Sequence, residues 1–200
     1  MTGWTTHEGL AVALPRANVD TDQIIPARFM SASRAEGYGG FLFADLRDGD
    51  ADFPLDRHPD ASVLVAGPNF GSGSSREAAV YALVDAGIRV VVAESFADIF
   101  AGNAVNNGLL PAAVGDAAEV LEALGDGTAE ASVDLEAGTL TIGGQTHGFD
   151  IPDIWRQKLI NGWDDIDLTR AHLDDISAYR HRRATDAPWV WAGDGTSSAG

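Results

Sequence analysis

Short apolar runs at three points of the chain predict buried β-strands. The runs are Leu10–Leu14, Ser62–Ala66 and Ile88–Ala93. Apolar runs of this length, bounded by turn-forming residues, are typical of strands in the interior of a sheet. Further along, Ser132–Leu135 and Thr139–Ile142 flank a Glu-Ala-Gly turn, and this arrangement predicts a β-hairpin.

A helical pattern lies between the second and third of these runs. Ser74 and Glu77 have the spacing of a capping box, in which each side chain bonds the other residue's backbone N–H. Gly87 stands where a helix commonly ends. Strand, helix and strand in this order predict a crossover between two parallel strands. Helical patterns are also present at four further places, residues 95–100, 116–124, 152–161 and 169–180.

The segments between these elements have the composition of loops. Residues 31–40 are rich in Gly and Ser, which favours a mobile loop, and residues 45–60 are polar with two prolines, which predicts a surface excursion. Residues 102–108 contain Gly and Asn and are also predicted to be a loop. We therefore expect one domain over residues 1–183, followed by a disordered tail at 184–200.

Charge separates this chain from an average protein. Its 200 residues include 13 Lys and Arg against 30 Asp and Glu, which gives a formal net charge of −17. Nucleic acids and anionic membranes are bound through clustered Lys and Arg, so we expect neither as a partner.

The lack of cysteine in the sequence excludes several kinds of site. A chain without cysteine has no disulfide, no thiol nucleophile and no thiolate-bound metal or cluster of its own. The five histidines show no ligand spacing, so we predict no metal site. The sequence also shows no signal peptide and no run of roughly 18 apolar residues, which favours a cytoplasmic protein.

The segment Asn69–Glu77 carries the richest candidate chemistry. Its glycines let a backbone approach a ligand closely, and a helix start offers free N–H groups to an anion. Ser74 and Ser75 add hydroxyl groups, and Arg76 adds a guanidinium fork suited to a carboxylate. The segment matches neither a dinucleotide-binding loop, a Walker A loop nor a nucleophile elbow. A capped helix with a surface arginine is the alternative interpretation.

A second polar cluster, Asp20-Thr21-Asp22, precedes an apolar pair and a proline. Such a cluster is suited to holding a ligand hydroxyl. Its more common role is to satisfy a turn through side-chain hydrogen bonds to the backbone.

Four segments stand in a recognisable order along the chain. They are residues 19–26 (VDTDQIIP), 69–77 (NFGSGSSRE), 95–111, which contain SFADIF and NGLLP, and 155–166 (WRQKLINGWDDI). In this order they resemble the small subunits of 3-isopropylmalate dehydratase, a family of the aconitase superfamily. The resemblance extends over most of the chain, from residue 7 to residue 180.

The resemblance implies an α/β fold, the swivelling β/β/α domain that caps a separate large subunit. It implies a hydro-lyase that interconverts 2- and 3-isopropylmalate by dehydration and rehydration in leucine biosynthesis, active only with that subunit. The large subunit is expected to carry a [4Fe–4S] cluster, and this chain is expected to bind no cofactor.

The resemblance also implies roles for individual residues. Ser74 is expected to be the base that removes the substrate's α-proton, with Arg76 and Asp22 completing the catalytic set. Because serine is a weak base, its alkoxide needs nearby N–H groups and positive charge. The residues expected to bind substrate are Ser75, Thr21, Arg34, Asn69, Gly71 and Gly73.

Two positions depart from the family pattern. Ser72 stands where family members usually have cysteine, and Ala78 stands where they usually have histidine. These departures leave the diacid open, so a related hydro-lyase of the citraconate, dimethylmalate or homoaconitate type is an alternative. A non-enzymatic anion-binding module built on the same loop is the second alternative.

Overall fold

The computed structural model describes residues 2–50 and 52–190 of the chain. The chain divides into two compact units, which comprise residues 1–164 and 165–200. The boundary between these units lies inside residues 1–183, the range over which the sequence predicts a single domain.

The first unit is built on a sheet of seven strands in the described residues. Their bounds are β1 Thr6–Leu14, β2 Ala61–Ala66, β3 Val90–Ala93, β4 Leu110–Ala113, β5 Thr128–Asp134, β6 Thr139–Ile142 and β7 Gln145–Gly148. The order across the sheet is β4-β3-β2-β1-β5-β6-β7. Neighbours from β4 to β1 are parallel and those from β1 to β7 are antiparallel. The predicted α/β class and the β5–β6 hairpin are therefore confirmed.

The two strands that the sequence pattern did not predict, β4 and β7, are the edges of the sheet. Pro111 lies within β4, and proline is tolerated there because an edge strand has one unpaired side. The β7 strand is polar and mostly exposed. The β7 strand lacks the apolar signal of a central strand, and Pro111 interrupts the apolar run that contains β4, so neither is recognised as a strand from composition.

Helices of the first unit connect and cover these strands. Their bounds are α1 Thr21–Ile24, α2 Ala44–Arg47, α3 Pro54–Arg57, α4 Glu77–Asp85, α5 Asp98–Asn106, α6 Ala117–Leu124 and α7 Asp153–Asn161. Short 3₁₀ turns cover residues 27–31, 34–36 and 39–41. Helix α4 connects the parallel strands β2 and β3, as predicted.

Alternate residues of β2 enter two different hydrophobic clusters. Leu64 belongs to a cluster that includes Leu83 of α4, whereas Val63 and Val65 belong to a cluster that includes Val120 of α6. All five residues are buried. Both faces of the parallel part of the sheet are thus covered, which explains why β2 is apolar at nearly every position.

Two local predictions are wrong. Helix α4 begins at Glu77 rather than at Ser74, and Arg76 is its N-cap without a side-chain cap bond, so the predicted capping box does not form. The Gly/Asn segment 102–108 is mostly helical, because α5 continues to Asn106 and buries Ala104 and Val105. Burial of one helix face outweighs the weak helix propensity of Gly and Asn here.

The second unit is helical within its described residues. It contains α8 Asp165–Arg170, α9 Leu173–Asp186 and a 3₁₀ turn at Pro188–Val190. The predicted tail begins at residue 184, inside α9, and its last ten residues, 191–200, lie outside the described part of the chain. Across the described residues, no helix combines the length and the apolar character that crossing a membrane demands.

The end of α4 illustrates how a local signal sets a boundary. Gly87 has φ +92°, and its N–H donates to the carbonyl of Val84 at 3.0 Å. The N–H of Ile88 donates to the carbonyl of Leu83 at 3.0 Å. These two bonds form a Schellman motif, which confirms that Gly87 ends the helix.

We expect Gly87→Ala and Gly102→Ala to change stability in opposite directions. A Cβ at either position meets no atom within 4 Å, so neither change causes a clash. Alanine at Gly87 must adopt a left-handed conformation, which costs about 1–2 kcal/mol. Alanine at Gly102, inside α5, gains about 0.5–1 kcal/mol of helix propensity. Urea unfolding of the isolated chain measures both, and two changes of the same sign would contradict this account.

Candidate active site

The candidate site lies where the parallel strands end. The loops at residues 15–20, 67–76 and 94–97 leave the carboxyl ends of β1, β2 and β3. Isolated bridges pair Asp20 with Ser72 and Phe70 with Phe96, so the three loops form one continuous rim. In open α/β sheets, ligands bind in the crevice outside this edge.

The glycine segment, residues 69–76, owes its shape to left-handed backbone conformations. Asn69, Gly71 and Gly73 have φ values of +59°, +77° and +91°. A Cβ on Gly71 would overlap the ring of Phe100, so only glycine fits that position. Gly73 is less confined, since the nearest atom to an added Cβ is 3.5 Å away, on Asp20.

Three phenylalanine rings pack together at the glycine segment. Phe70 packs edge-on against Phe96 and Phe100, with ring centroids 6.3 Å and 5.3 Å apart. The N–H of Phe70 donates to the carbonyl of Ser95, and the N–H of Ala97 donates to the carbonyl of Phe70, both at 3.0 Å. No local pattern predicts this support, although SFADIF lies within one of the four ordered segments.

Thr21 connects the loop after β1 to the glycine segment. Its N–H donates to the carbonyl of Ser72 at 2.9 Å, and its hydroxyl donates to the carbonyl of Ser74 at 3.1 Å. The side chain of Thr21 is buried, with the residue only 1% exposed. The hydroxyl predicted to bind substrate therefore has an internal partner in this structure.

The two aspartates beside Thr21 have separate tasks. Asp20 caps α1, accepting from the N–H of Gln23 at 2.7 Å, while the Gln23 side chain accepts from the Asp20 N–H at 3.0 Å. This is a capping box of α1, distinct from the one predicted at Ser74 and Glu77 for α4, which does not form. Asp22 instead forms an ion pair with Arg76 across the two loops.

The side chains with reactive or charged groups face outward. Ser74 and Ser75 are exposed, whereas the side chain of Arg76 is 25% exposed and that of Asp22 is 54% exposed. Two exposed hydroxyl groups thus directly precede, in the chain, a guanidinium group that is paired with a carboxylate. Such a set is suited to binding a carboxylate and moving a proton.

Residues at the start of α4 connect this rim to α5. The side chain of Asn107 donates to the Glu77 carboxylate at 2.9 Å and to the carbonyl of Asn103 at 2.9 Å. Burial raises the pKa of the Tyr81 hydroxyl, and a hydrogen bond with Glu77 raises it further. Asn107 begins the NGLLP motif, and its bond to Glu77 gives that motif a physical role.

Two further predicted residues have partners of their own. The side chain of Asn69 donates to that of Asn18 at 2.8 Å, at the beginning of the glycine segment. Arg34 pairs with Asp85 at 2.6 Å and lies over the ring of Tyr81, 4.3 Å from its centroid. Asp85 ends α4, about 12 Å from the helix start. The structure therefore does not bring Arg34 to the other predicted site residues.

The described residues lack a set of side chains that could bind a metal ion. Among the described residues, no group of three or more His, Cys, Asp or Glu side chains is arranged to hold a metal ion. The sequence supplies no cysteine thiolate. These residues do not fit an iron–sulfur cluster, which thiolates normally hold.

Comparison with known proteins agrees with the fold and the motifs. The profile of the aconitase C-terminal domain matches residues 1–116, which include β1 to β4 and the whole glycine segment. A crystal structure of 3-isopropylmalate dehydratase from Methanocaldococcus jannaschii has a TM-score of 0.67 and 30% sequence identity, covering 86% of this chain and 99% of that one. The fold and the site thus define a domain of the aconitase C-terminal class.

Curated relatives specify the family more closely. The 3-isopropylmalate dehydratase small subunit of a Parafrankia species is 46% identical over 92% of this chain and 96% of the relative. The protein of that name from Caulobacter vibrioides is 45% identical over 96% of this chain and the whole of the relative. The chain therefore belongs to the family of 3-isopropylmalate dehydratase small subunits.

We expect Gly71→Ala to destabilise the protein more than Gly73→Ala. Both changes force alanine into a left-handed conformation, at about 1–2 kcal/mol. Only Gly71→Ala also overlaps the Phe100 ring, and overpacking of this kind adds about 1–3 kcal/mol. Denaturant unfolding of both variants measures the difference. Equal losses would show that the Phe100 contact does not constrain the segment.

Proposed function

We propose that this chain is the small subunit of a hydro-lyase that interconverts 2- and 3-isopropylmalate by dehydration and rehydration, in leucine biosynthesis. The observation that carries the proposal is the exposed Ser74, two residues before the Arg76 that pairs with Asp22, on the rim formed by the strand ends. Membership of the small-subunit family supplies the reaction class.

Ser74 acts as the base in this proposal. The ionised Oγ takes the proton from the carbon next to a substrate carboxylate, the electron pair of that C–H bond forms the C=C bond, and the hydroxyl group leaves the adjacent carbon. In rehydration the hydroxyl adds to a carbon of the C=C bond and Ser74 returns the proton to the other. A serine oxygen performs this step only when its negative charge is stabilised by nearby donors and positive charge. The guanidinium of Arg76, two residues along, supplies that charge. The backbone N–H of Arg76 donates to the Ser74 carbonyl at 2.8 Å.

Arg76 and Ser75 bind the carboxylate of the substrate. A guanidinium group has five N–H donors, so pairing with Asp22 through one nitrogen leaves others for a ligand. Asp22 fixes the orientation of the fork before the substrate arrives, which reduces the entropy lost on binding. Asn69, Gly71 and Gly73 contribute through the backbone shape of the segment rather than through long side chains.

A large subunit completes the site. Ser74 and Ser75 are exposed on this chain, and efficient proton transfer of this kind requires a site from which water is excluded. We infer that the partner covers the rim and carries the [4Fe–4S] cluster, for which this chain offers no thiolates. A cytoplasmic location is consistent with this proposal.

At the two positions that depart from the family pattern, the contacts are a backbone hydrogen bond and hydrophobic packing. The carbonyl of Ser72 accepts a hydrogen bond from the N–H of Thr21, and this backbone bond does not depend on the side chain at position 72. Ala78 packs, partly buried, against the hydrophobic cluster beside α4. No observation at either position favours another diacid, so isopropylmalate is the substrate we propose.

We expect Ser74→Ala to abolish turnover of 2-isopropylmalate by the complex with the large subunit. Loss of a general base lowers kcat by about 10²–10⁴-fold. Because the Ser74 side chain is not a helix cap, the free energy of unfolding should change by no more than about 0.5 kcal/mol. Anaerobic assays of the co-expressed complex measure kcat, with the exposed Ser132→Ala on β5 as control. Full activity in Ser74→Ala would refute the proposed role.

We expect Arg76→Lys to lower kcat/KM for the same substrate by about 10–100-fold. Lysine keeps the charge but not the bidentate fork, so a charged hydrogen bond worth about 1.5–3 kcal/mol is lost. Arg57→Lys is the matched control, since Arg57 pairs with Asp126 outside the glycine segment. Wild-type kinetics in Arg76→Lys would show that a point charge is sufficient there.

A further inference from the structure

Thr21 is unusual among the polar residues of the described chain because it is almost completely buried, at 1% exposure. Its hydroxyl has one identified partner, the carbonyl of Ser74, at 3.1 Å. A buried hydroxyl that spends its donor on a backbone carbonyl cannot also contact a ligand through that proton. The predicted role of Thr21 in substrate binding therefore conflicts with where its hydroxyl lies.

The two hydrogen bonds of Thr21 lie on either side of Gly73. Its N–H holds the carbonyl of Ser72 at 2.9 Å, and its hydroxyl holds the carbonyl of Ser74 at 3.1 Å. Gly73 has φ +91° and no atom within 3.4 Å of an added Cβ, so packing alone does little to fix it. Thr21 thus restrains the one flexible residue directly before the proposed base.

Thr21 itself is held firmly. It is the first residue of α1, whose capping box involves Asp20 and Gln23. Its carbonyl accepts from the N–H of Ile25 at 3.0 Å, and Ile24 and Ile25 are fully buried. A short helix anchored by two buried isoleucines gives the Thr21 hydroxyl a fixed position from which to restrain a loop.

We propose that Thr21 is a positioning residue that holds the Ser74 backbone, and with it the Ser74 oxygen, in the geometry required for proton removal. This inference rests on the proposed role of Ser74 as the base. It assigns Thr21 no contact with substrate. Its effect passes through the Ser74 carbonyl, which also accepts from the Arg76 N–H at 2.8 Å.

The test is Thr21→Val, which keeps the shape of the side chain and removes the donor. We expect kcat of the holoenzyme complex to fall by about 10²-fold, the cost of misplacing a reacting group by roughly 1 Å. KM should change little, because the groups that bind the carboxylate are untouched. Thr21→Ser, which restores the hydroxyl, should recover most of the activity.

A second readout does not depend on turnover. In the isolated chain, amide hydrogen exchange at Arg76 should be faster in Thr21→Val, because its acceptor on Ser74 is less restrained. The amide of Ala86, which donates to Ala82 at 3.1 Å at the other end of α4, is the internal reference. Thr141→Val is the matched control, since it removes a hydroxyl bond to Thr146 between β6 and β7.

The outcomes separate this inference from the proposed function. No turnover of 2-isopropylmalate by the wild-type complex overturns the proposed function. Wild-type kcat in Thr21→Val beside an inactive Ser74→Ala overturns the inference alone, and full activity in Ser74→Ala overturns the role of Ser74 as base and the inference together. A loss expressed in KM would instead assign Thr21 to substrate binding and overturn the inference. So would an equal loss in Thr21→Ser. If Thr21→Val does not fold, Thr21→Ala replaces it with the same expectations.

Discussion

The hydrogen bonds between the loop after β1 and the loop after β2 are the constraint on which the site depends. The N–H of Gly71 donates to the carbonyl of Val19 at 2.8 Å, and the N–H of Thr21 donates to the carbonyl of Ser72 at 2.9 Å. These bonds align two loops that are about 50 residues apart in the chain. They bring Asp22 within reach of Arg76 and hold the backbone just before Ser74.

This coupling places the reactive groups on an open surface. Ser74 and Ser75 are exposed, and the Arg76–Asp22 pair is only partly shielded from solvent. Ion pairs of this exposure contribute little to stability. Their value at this position is orientation, which is what the proposed site, completed by a large subunit, would require from this chain.

Local sequence signals predicted the elements that residue type alone marks. The apolar runs of β2 and β3 and the glycine turn after α4 were identified because burial and a left-handed residue mark them directly. The edge strands β4 and β7 were missed, since a proline interrupts the apolar run of β4 and β7 is polar. The start of α4 was misplaced for a related reason, because the carbonyls of Ser72 and Ser74 are bound by Thr21.

The sequence by itself determined the α/β class and the family, and it pointed to the glycine segment as the candidate site, because these depend on residue types in a fixed order. It also brought Ser74, Ser75 and Arg76 together, since they are adjacent in the chain. Only the tertiary structure decided that Asp22 meets Arg76, that Arg34 lies beside Asp85 instead, and that the Thr21 hydroxyl is buried against Ser74. Those contacts join residues about 50 positions apart, and strand pairing and burial, not local pattern, bring them together.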